Sequence, residues 1–142
     1  MAEMDLRAEI LAYGKEKYHS EAEYLWADTP DAAVLRHNDN RKWYALVMKL
    51  ERARMGLSGE GVVDVLNIKC DPDMGTMLRG MDGFYPAYHM NKTKWISVLL
   101  DRTVKKDMIL DLLDASFALT APKKTRGKSG DNRSLTEKNG KK

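Results

Sequence analysis

The sequence has little cysteine, no long apolar run and no leader-like start, and each shortage excludes a class of protein. Among 142 residues the single cysteine, Cys70, cannot form an internal disulfide, as is usual for proteins of a reducing compartment. No run reaches the roughly 18 apolar residues that cross a bilayer. The opening MAEMDLRAEI mixes acids with bases, where a signal peptide would be apolar. We therefore expect a cytoplasmic protein with no membrane segment.

Patterns typical of metal binding and catalysis are also missing. The three histidines lie far apart from one another and from the cysteine, without the close pairs that build most zinc sites. The GKS triplet at 127–129 would need a glycine at position 122 to form a phosphate-binding loop, and Pro122 stands there. No serine or cysteine lies in a local nucleophile motif. We expect no metal, no cofactor and no enzymatic activity.

The charge of the chain is unevenly distributed. The formal net charge is +3, but residues 123–142 hold eight basic and two acidic residues, so they carry +6 and residues 1–122 carry −3. Residues 123–142 also contain one large aliphatic residue, Leu135, which buries too little surface to offset the entropy of ordering. The remaining apolar residues suffice for one core. We predict a single domain at 1–121 and a disordered basic tail at 122–142.

Hydrophobic periodicity and turn residues predict the order of the elements. A helix is expected over ~5–18, capped by Asp5, and another from Asp71 and Pro72 to near Gly80. The strands are predicted at 33–37, 42–50, 62–69 and 95–101, and a last helix begins near 103–105 and stops before Pro122. The segment through Phe84, Tyr85, Pro86 and Tyr88 is predicted as a loop. Grouped strands flanked by helices indicate an α+β fold, with an antiparallel sheet of about four or five strands and helices packed on one face.

Two segments interleave bases, amides and aromatic residues. Their candidate DNA-binding residues are Arg36, His37, Asn38, Arg41 and Lys42 in the first hairpin and Asn91, Lys92 and Lys94 before the last strand. Arginine and lysine contact phosphates, asparagine can meet base edges, and a hairpin can enter a groove as a wing. The alternative interpretation is structural: an Asn-rich tip suits a turn, and Trp43 and Trp95 begin strands where they would pack into the core.

At this point the sequence resembles a known family. The stretch HMNKTKWISVLLDRTVKKDMILDLLDASFAL is similar to the signature of the MmcQ/YjbR family. RHNDNRKWYALVM, VLNIKCDP and LRGMDGFYPAYHMNK resemble its hairpin, its third strand and its glycine-to-proline loop. The resemblance covers residues ~1–121 and implies a fold like that of CyaY, two hairpins described as a double wing, and a DNA-binding role.

Three functions follow as hypotheses. The first is a non-enzymatic DNA-binding protein that contacts phosphates through its basic hairpin wings. The second is an interaction module for an unknown protein, with Phe84, Tyr85 and Tyr88 as an exposed patch. Such a module would have no nucleic-acid role. The third is a small-ligand binder or an unrecognised enzyme. The sequence leaves the oligomeric state open.

Overall fold

The computed structural model describes residues 5–88 and 90–122 and has the predicted α+β architecture. In chain order its elements are α1 (Leu6–Tyr18), β1 (Ala33–Arg36), β2 (Trp43–Glu51), β3 (Val62–Lys69), α2 (Pro72–Leu78), β4 (Phe84–Pro86), β5 (Trp95–Leu99) and α3 (Lys106–Thr120). A short 3₁₀ helix, Arg52–Met55, joins β2 to β3. The predicted disordered tail falls on residues that lie outside the described ones, so it stays a prediction.

The five strands form one antiparallel sheet in the order β1-β2-β3-β5-β4. The meander β1-β2-β3 confirms the predicted succession of three strands. The prediction of a loop over residues 84–86 was wrong, because these residues pair with β5 as a three-residue edge strand. An edge strand tolerates Pro86, because proline lacks a backbone N–H and the outer side of an edge strand does not need one to pair with a neighbouring strand. Such a short strand carries too little alternation to be recognised in the sequence.

The helices cover one face of this sheet, here called the helix face. Asp5 caps α1 by accepting a hydrogen bond of 2.7 Å from the Ala8 amide, and Asp71 caps α2 by accepting one of 2.9 Å from the Met74 amide. Both predicted caps are thereby confirmed. The core between helices and sheet includes Ile10, Leu35, Val47, Leu66, Ile68, Ile96, Ile109 and Leu113, all buried. Within the described residues, no helix combines the length and the apolar character needed to cross a membrane.

A bulge in β2 decides which aromatic residues face the helices. Leu35 pairs with Ala45, but the next residue of β1, Arg36, pairs with Trp43, so Tyr44 is an extra residue. Tyr44 and Ala45 both belong to the helix-face core, while Trp43 packs in a cluster on the opposite face. A bulge commonly redirects a side chain in this way. The opposite face, here called the open face, therefore gains a tryptophan.

Candidate functional site

The two basic segments predicted from the sequence lie at the same end of the sheet. β2 and β5 are both antiparallel to β3, so both begin at one end, at Trp43 and Trp95. Lys42 and Lys94 precede these strands and are exposed. Two strand spacings separate them, which is roughly 10 Å. Within residues 5–88 and 90–122, no carboxylate pairs with either ammonium group. We call residues 38–42 and 91–94 the basic end.

The last helix also finishes at the basic end. The side-chain amide of Asn40 donates a hydrogen bond of 3.0 Å to the backbone oxygen of Thr120, at the end of α3. The ring nitrogen Nε2 of His37 lies 2.8 Å from the Thr120 hydroxyl. The described chain therefore ends close to the first hairpin, and the eight basic residues of 123–142 follow it in the sequence.

The two arginines of the first hairpin share one carboxylate. Arg36 donates to both oxygens of Glu23, at 2.7 and 3.1 Å, and Arg41 donates to one of them at 2.9 Å. The hydrogen bond from Arg36 is the main cause that lowers the pKa of Glu23. The backbone of Glu23 is fixed by a bridge to Val34 at the edge of β1. Because one carboxylate faces two guanidinium groups, the cluster keeps one net positive charge.

His37 lies in the core rather than on the surface. Its side chain is 3% exposed, and its ring packs 4.0 Å from that of Phe117 and at a steep angle to that of Tyr44. Burial is the main cause that lowers its pKa, so the neutral ring is favoured. Because its side chain is buried, His37 is not placed to contact DNA as predicted. The residue instead fixes the hairpin to α3.

The remaining predicted residues hold the turns of the basic end. Asn38 donates to the backbone oxygen of His19 at 3.1 Å. Asn91 accepts hydrogen bonds from the Thr93 and Lys94 amides at 2.9 and 3.3 Å. The Lys92 ammonium donates to the Ala87 backbone oxygen at 3.0 Å. Their polar groups shape the loops that present Lys42 and Lys94.

The open face carries a groove that sequence reasoning missed. Its volume is about 370 Å³, and its lining includes Trp26, Trp43, Leu46, Met48 and Met90, with Asp28 and Thr29 alongside. The structural interpretation of the sequence placed Trp43 in the core and did not consider a groove. One signal was available: β2 has apolar residues at consecutive positions, which indicates burial on both faces of its strand.

The predicted aromatic patch is divided between the two faces. Phe84 is 4% exposed and belongs to the helix-face core, so its predicted exposure was wrong. Tyr85 and Tyr88 are half-buried on the open face, against a cluster that includes Val65. The hydroxyl of Tyr88 accepts a hydrogen bond of 3.0 Å from Arg54. These two tyrosines cover the sheet instead of forming a free patch.

Groups that could support metal or thiol chemistry are sparse in the described part of the chain. Within it, no three His, Cys, Asp or Glu side chains are grouped closely enough to hold a metal ion. Cys70 is buried, and burial is the main cause that raises the pKa of its thiol. A raised thiol pKa disfavours the nucleophilic thiolate.

Comparison with known proteins gives consistent matches over most of the chain. A family model described as YjbR matches residues 15–119. The uncharacterized protein YyaQ of Bacillus subtilis (strain 168) is 42% identical over 114 residues, which cover 80% of this chain and 97% of YyaQ. A crystal structure of a Pseudomonas syringae protein is 42% identical, with a TM-score of 0.79 over 81% of this chain and 98% of that one. The Deinococcus radiodurans protein DR2400, with a DUF419 domain, is 26% identical, with a TM-score of 0.63 over 82% and 78%.

Proposed function

The chain belongs to the YjbR family, and we propose that it is a non-enzymatic DNA-binding protein whose basic end contacts phosphates. One observation carries the proposal. Lys42, Lys94 and the point where the basic residues 123–142 leave α3 all lie at the same end of the sheet. Two exposed lysines from separate parts of the sequence thus lie at the end of the sheet where α3 also finishes.

The two lysines are suited to contact phosphates rather than to read bases. Each is exposed and carries a compact charge on a flexible stem, which fits a phosphate without demanding a fixed geometry. The strands that they precede lie two spacings apart, roughly 10 Å, which is below the ~12 Å width of the major groove. Arg41, whose side chain is half exposed beside Glu23, adds the net charge of the arginine pair. This arrangement supports binding that depends weakly on DNA sequence and strongly on salt.

The charge asymmetry of the chain supports a defined orientation on DNA. Residues 1–122 carry −3 and residues 123–142 carry +6. A polyanion repels the acidic surface of the domain and attracts the end from which the basic residues continue. The domain should therefore approach DNA with its basic end first.

A labelled DNA duplex tests whether the domain or the basic segment carries the binding. Fluorescence anisotropy is measured for the full chain and for a chain ending at Pro122, at low and near-physiological salt. We expect the shorter chain to bind more weakly but measurably at near-physiological salt. If all binding disappears with residues 123–142 while circular dichroism shows a folded domain, the proposal for the basic end is wrong.

A second candidate function is binding to another protein, favoured by exposed methionines around α2. Met74 and Met77, in α2, and Met81, three residues after it, are 36%, 59% and 43% exposed. Flexible thioether side chains are frequent on surfaces that bind varied partners. A partner captured by the full chain after nuclease treatment, and lost with Met77→Glu, would support this function. Capture unchanged by Met77→Glu would exclude this surface.

A further inference from the structure

The groove on the open face is bounded by two indole rings that meet nearly at a right angle. The ring centroids of Trp26 and Trp43 are 5.6 Å apart, and their planes differ by 78°. Trp43 reaches this position because the bulge at Tyr44 turns it away from the helix face. Both tryptophans line the groove, and we call their edge-to-face contact the Trp26–Trp43 corner.

The lining of this corner is apolar with one acidic group. Leu46 and Met48 from β2 form part of the lining, and Met90 contributes a thioether. Asp28 and Thr29 contribute the polar side chains, and neither carries a positive charge. Among the described residues that line the groove there is no lysine or arginine. A volume of about 370 Å³ lies within the range of small-molecule sites, roughly 300–1,000 Å³.

The electrostatics of these groups favour a positively charged ligand with an apolar surface. The face of an indole is negative, and tryptophan attracts a cation above its ring more strongly than tyrosine or phenylalanine does. The negative charge of Asp28, which lines the same groove, adds to this potential. Methyl groups on the cation would contact the methionine and leucine side chains.

We propose that the Trp26–Trp43 corner binds a small free alkylammonium compound, with its cationic head against the two indoles and beside Asp28. The lining of this site includes neither Lys42 nor Lys94, so the proposal does not rest on DNA binding. The site depends on the bulge at Tyr44, because without it Trp43 would face the helices.

The role of the positive charge is tested with choline and its neutral carbon analogue, 3,3-dimethyl-1-butanol, which has a similar shape but no charge. Each is titrated into the full chain, and the indole N–H signals of Trp26, Trp43 and Trp95 are followed by NMR. We expect saturable shifts of the Trp26 and Trp43 signals with choline, with affinity about tenfold above that of the neutral analogue. Equal affinity for the two compounds, or no saturable shift with choline, would overturn the proposal.

Matched variants locate the site. Asp28→Asn removes the charge at nearly constant shape, and it should weaken choline binding severalfold without changing binding of the neutral analogue. Asp31→Asn makes the same change at a nearby exposed residue outside the groove lining and should leave choline binding unchanged. If Asp28→Asn and Asp31→Asn behave alike in chains with intact folded spectra, Asp28 does not belong to the site and the proposal fails.

A lipid headgroup could supply the same cation, so phosphatidylcholine vesicles form the last arm. Co-sedimentation of the full chain is measured with vesicles of phosphatidylcholine alone. We expect the chain to stay in the supernatant, as a site for a free ligand requires. If the chain sediments with the vesicles and excess free choline reverses this, the groove binds a membrane surface. That result would contradict the free-ligand proposal.

Discussion

The Glu23 carboxylate holds the Arg36 guanidinium through two hydrogen bonds, of 2.7 and 3.1 Å, and accepts a third from Arg41. A two-pronged arginine–carboxylate pair fixes both side chains more firmly than a single contact does. This carboxylate therefore has two effects. It ties the segment before β1 to the first hairpin, and it neutralises part of the positive charge near the basic end.

Glu23→Gln should change stability and DNA binding in opposite directions. The variant loses the charge that pairs two arginines, so we expect a lower melting temperature and tighter binding of a DNA duplex at low salt. Glu21→Gln is the control, because Glu21 is exposed and makes only a long contact of 3.8 Å with the exposed Lys15 ammonium. Equal duplex affinity for the two variants would show that Arg36 and Arg41 do not contribute.

His37 should make the fold sensitive to mild acid. Burial lowers its pKa below the ordinary 6.5, so below pH 6.5 the unfolded chain takes up a proton that the folded chain resists. Its contribution to stability is complete above pH 6.5 and is lost as the pH falls towards the lowered value. Urea unfolding at pH 7.5 and 5.0 should show a smaller acid-induced loss for His37→Phe than for the natural chain. Equal losses would mean that another group is responsible.

Gly14→Ala should destabilise the domain although alanine favours helices. A Cβ atom at Gly14 would lie 2.9 Å from Cδ1 of Leu35 and 3.2 Å from the Tyr44 hydroxyl, which is closer than atoms pack. The propensity gain is about 1 kcal/mol, and we expect the overpacking of about 1–3 kcal/mol to outweigh it. Leu35→Val should partly relieve the loss in a double mutant. Additive losses measured by urea unfolding would contradict this contact.

Ser116 joins α3 to two strands. Its buried hydroxyl donates to the Tyr44 backbone oxygen at 2.6 Å and accepts from the Lys69 amide at 2.9 Å. Ser116→Ala leaves both backbone groups unsatisfied, so we expect a loss of about 1–3 kcal/mol in the free energy of unfolding. Ala115→Ser, at an exposed position of the same helix, should have little effect. A loss below that of Ala115→Ser would show that water replaces the hydroxyl.

Much of the fold could be predicted because local signals agreed with the tertiary structure. Asp5 and Asp71 cap helices as expected, and the third strand has its predicted bounds, Val62–Lys69. The edge strand Phe84–Pro86 escaped prediction because its three residues gain their strand geometry from pairing with β5. That pairing is a long-range property, which no local pattern contains.

The candidate site was predicted only in part, since burial and partners depend on the folded chain. The basic segments were identified, but nothing in the sequence placed Glu23 beside Arg36 or buried His37 against Phe117. The groove depends on a bulge that moves Trp43 by one position, and one extra residue in a strand leaves no local signature. Predictions from residue type therefore need the geometry before roles can be assigned.

The salt dependence of DNA binding by the full chain tests the central proposal most directly. Lys42→Ala/Lys94→Ala is compared with Lys105→Ala/Lys106→Ala, which removes two exposed cations at the start of α3, the end of that helix away from the basic end. Each lysine that contacts a phosphate should reduce the slope of log affinity against log salt by about one. We predict a reduction of about two for the first pair and little change for the second. Equal slopes for the two variants would contradict a DNA interface at the basic end.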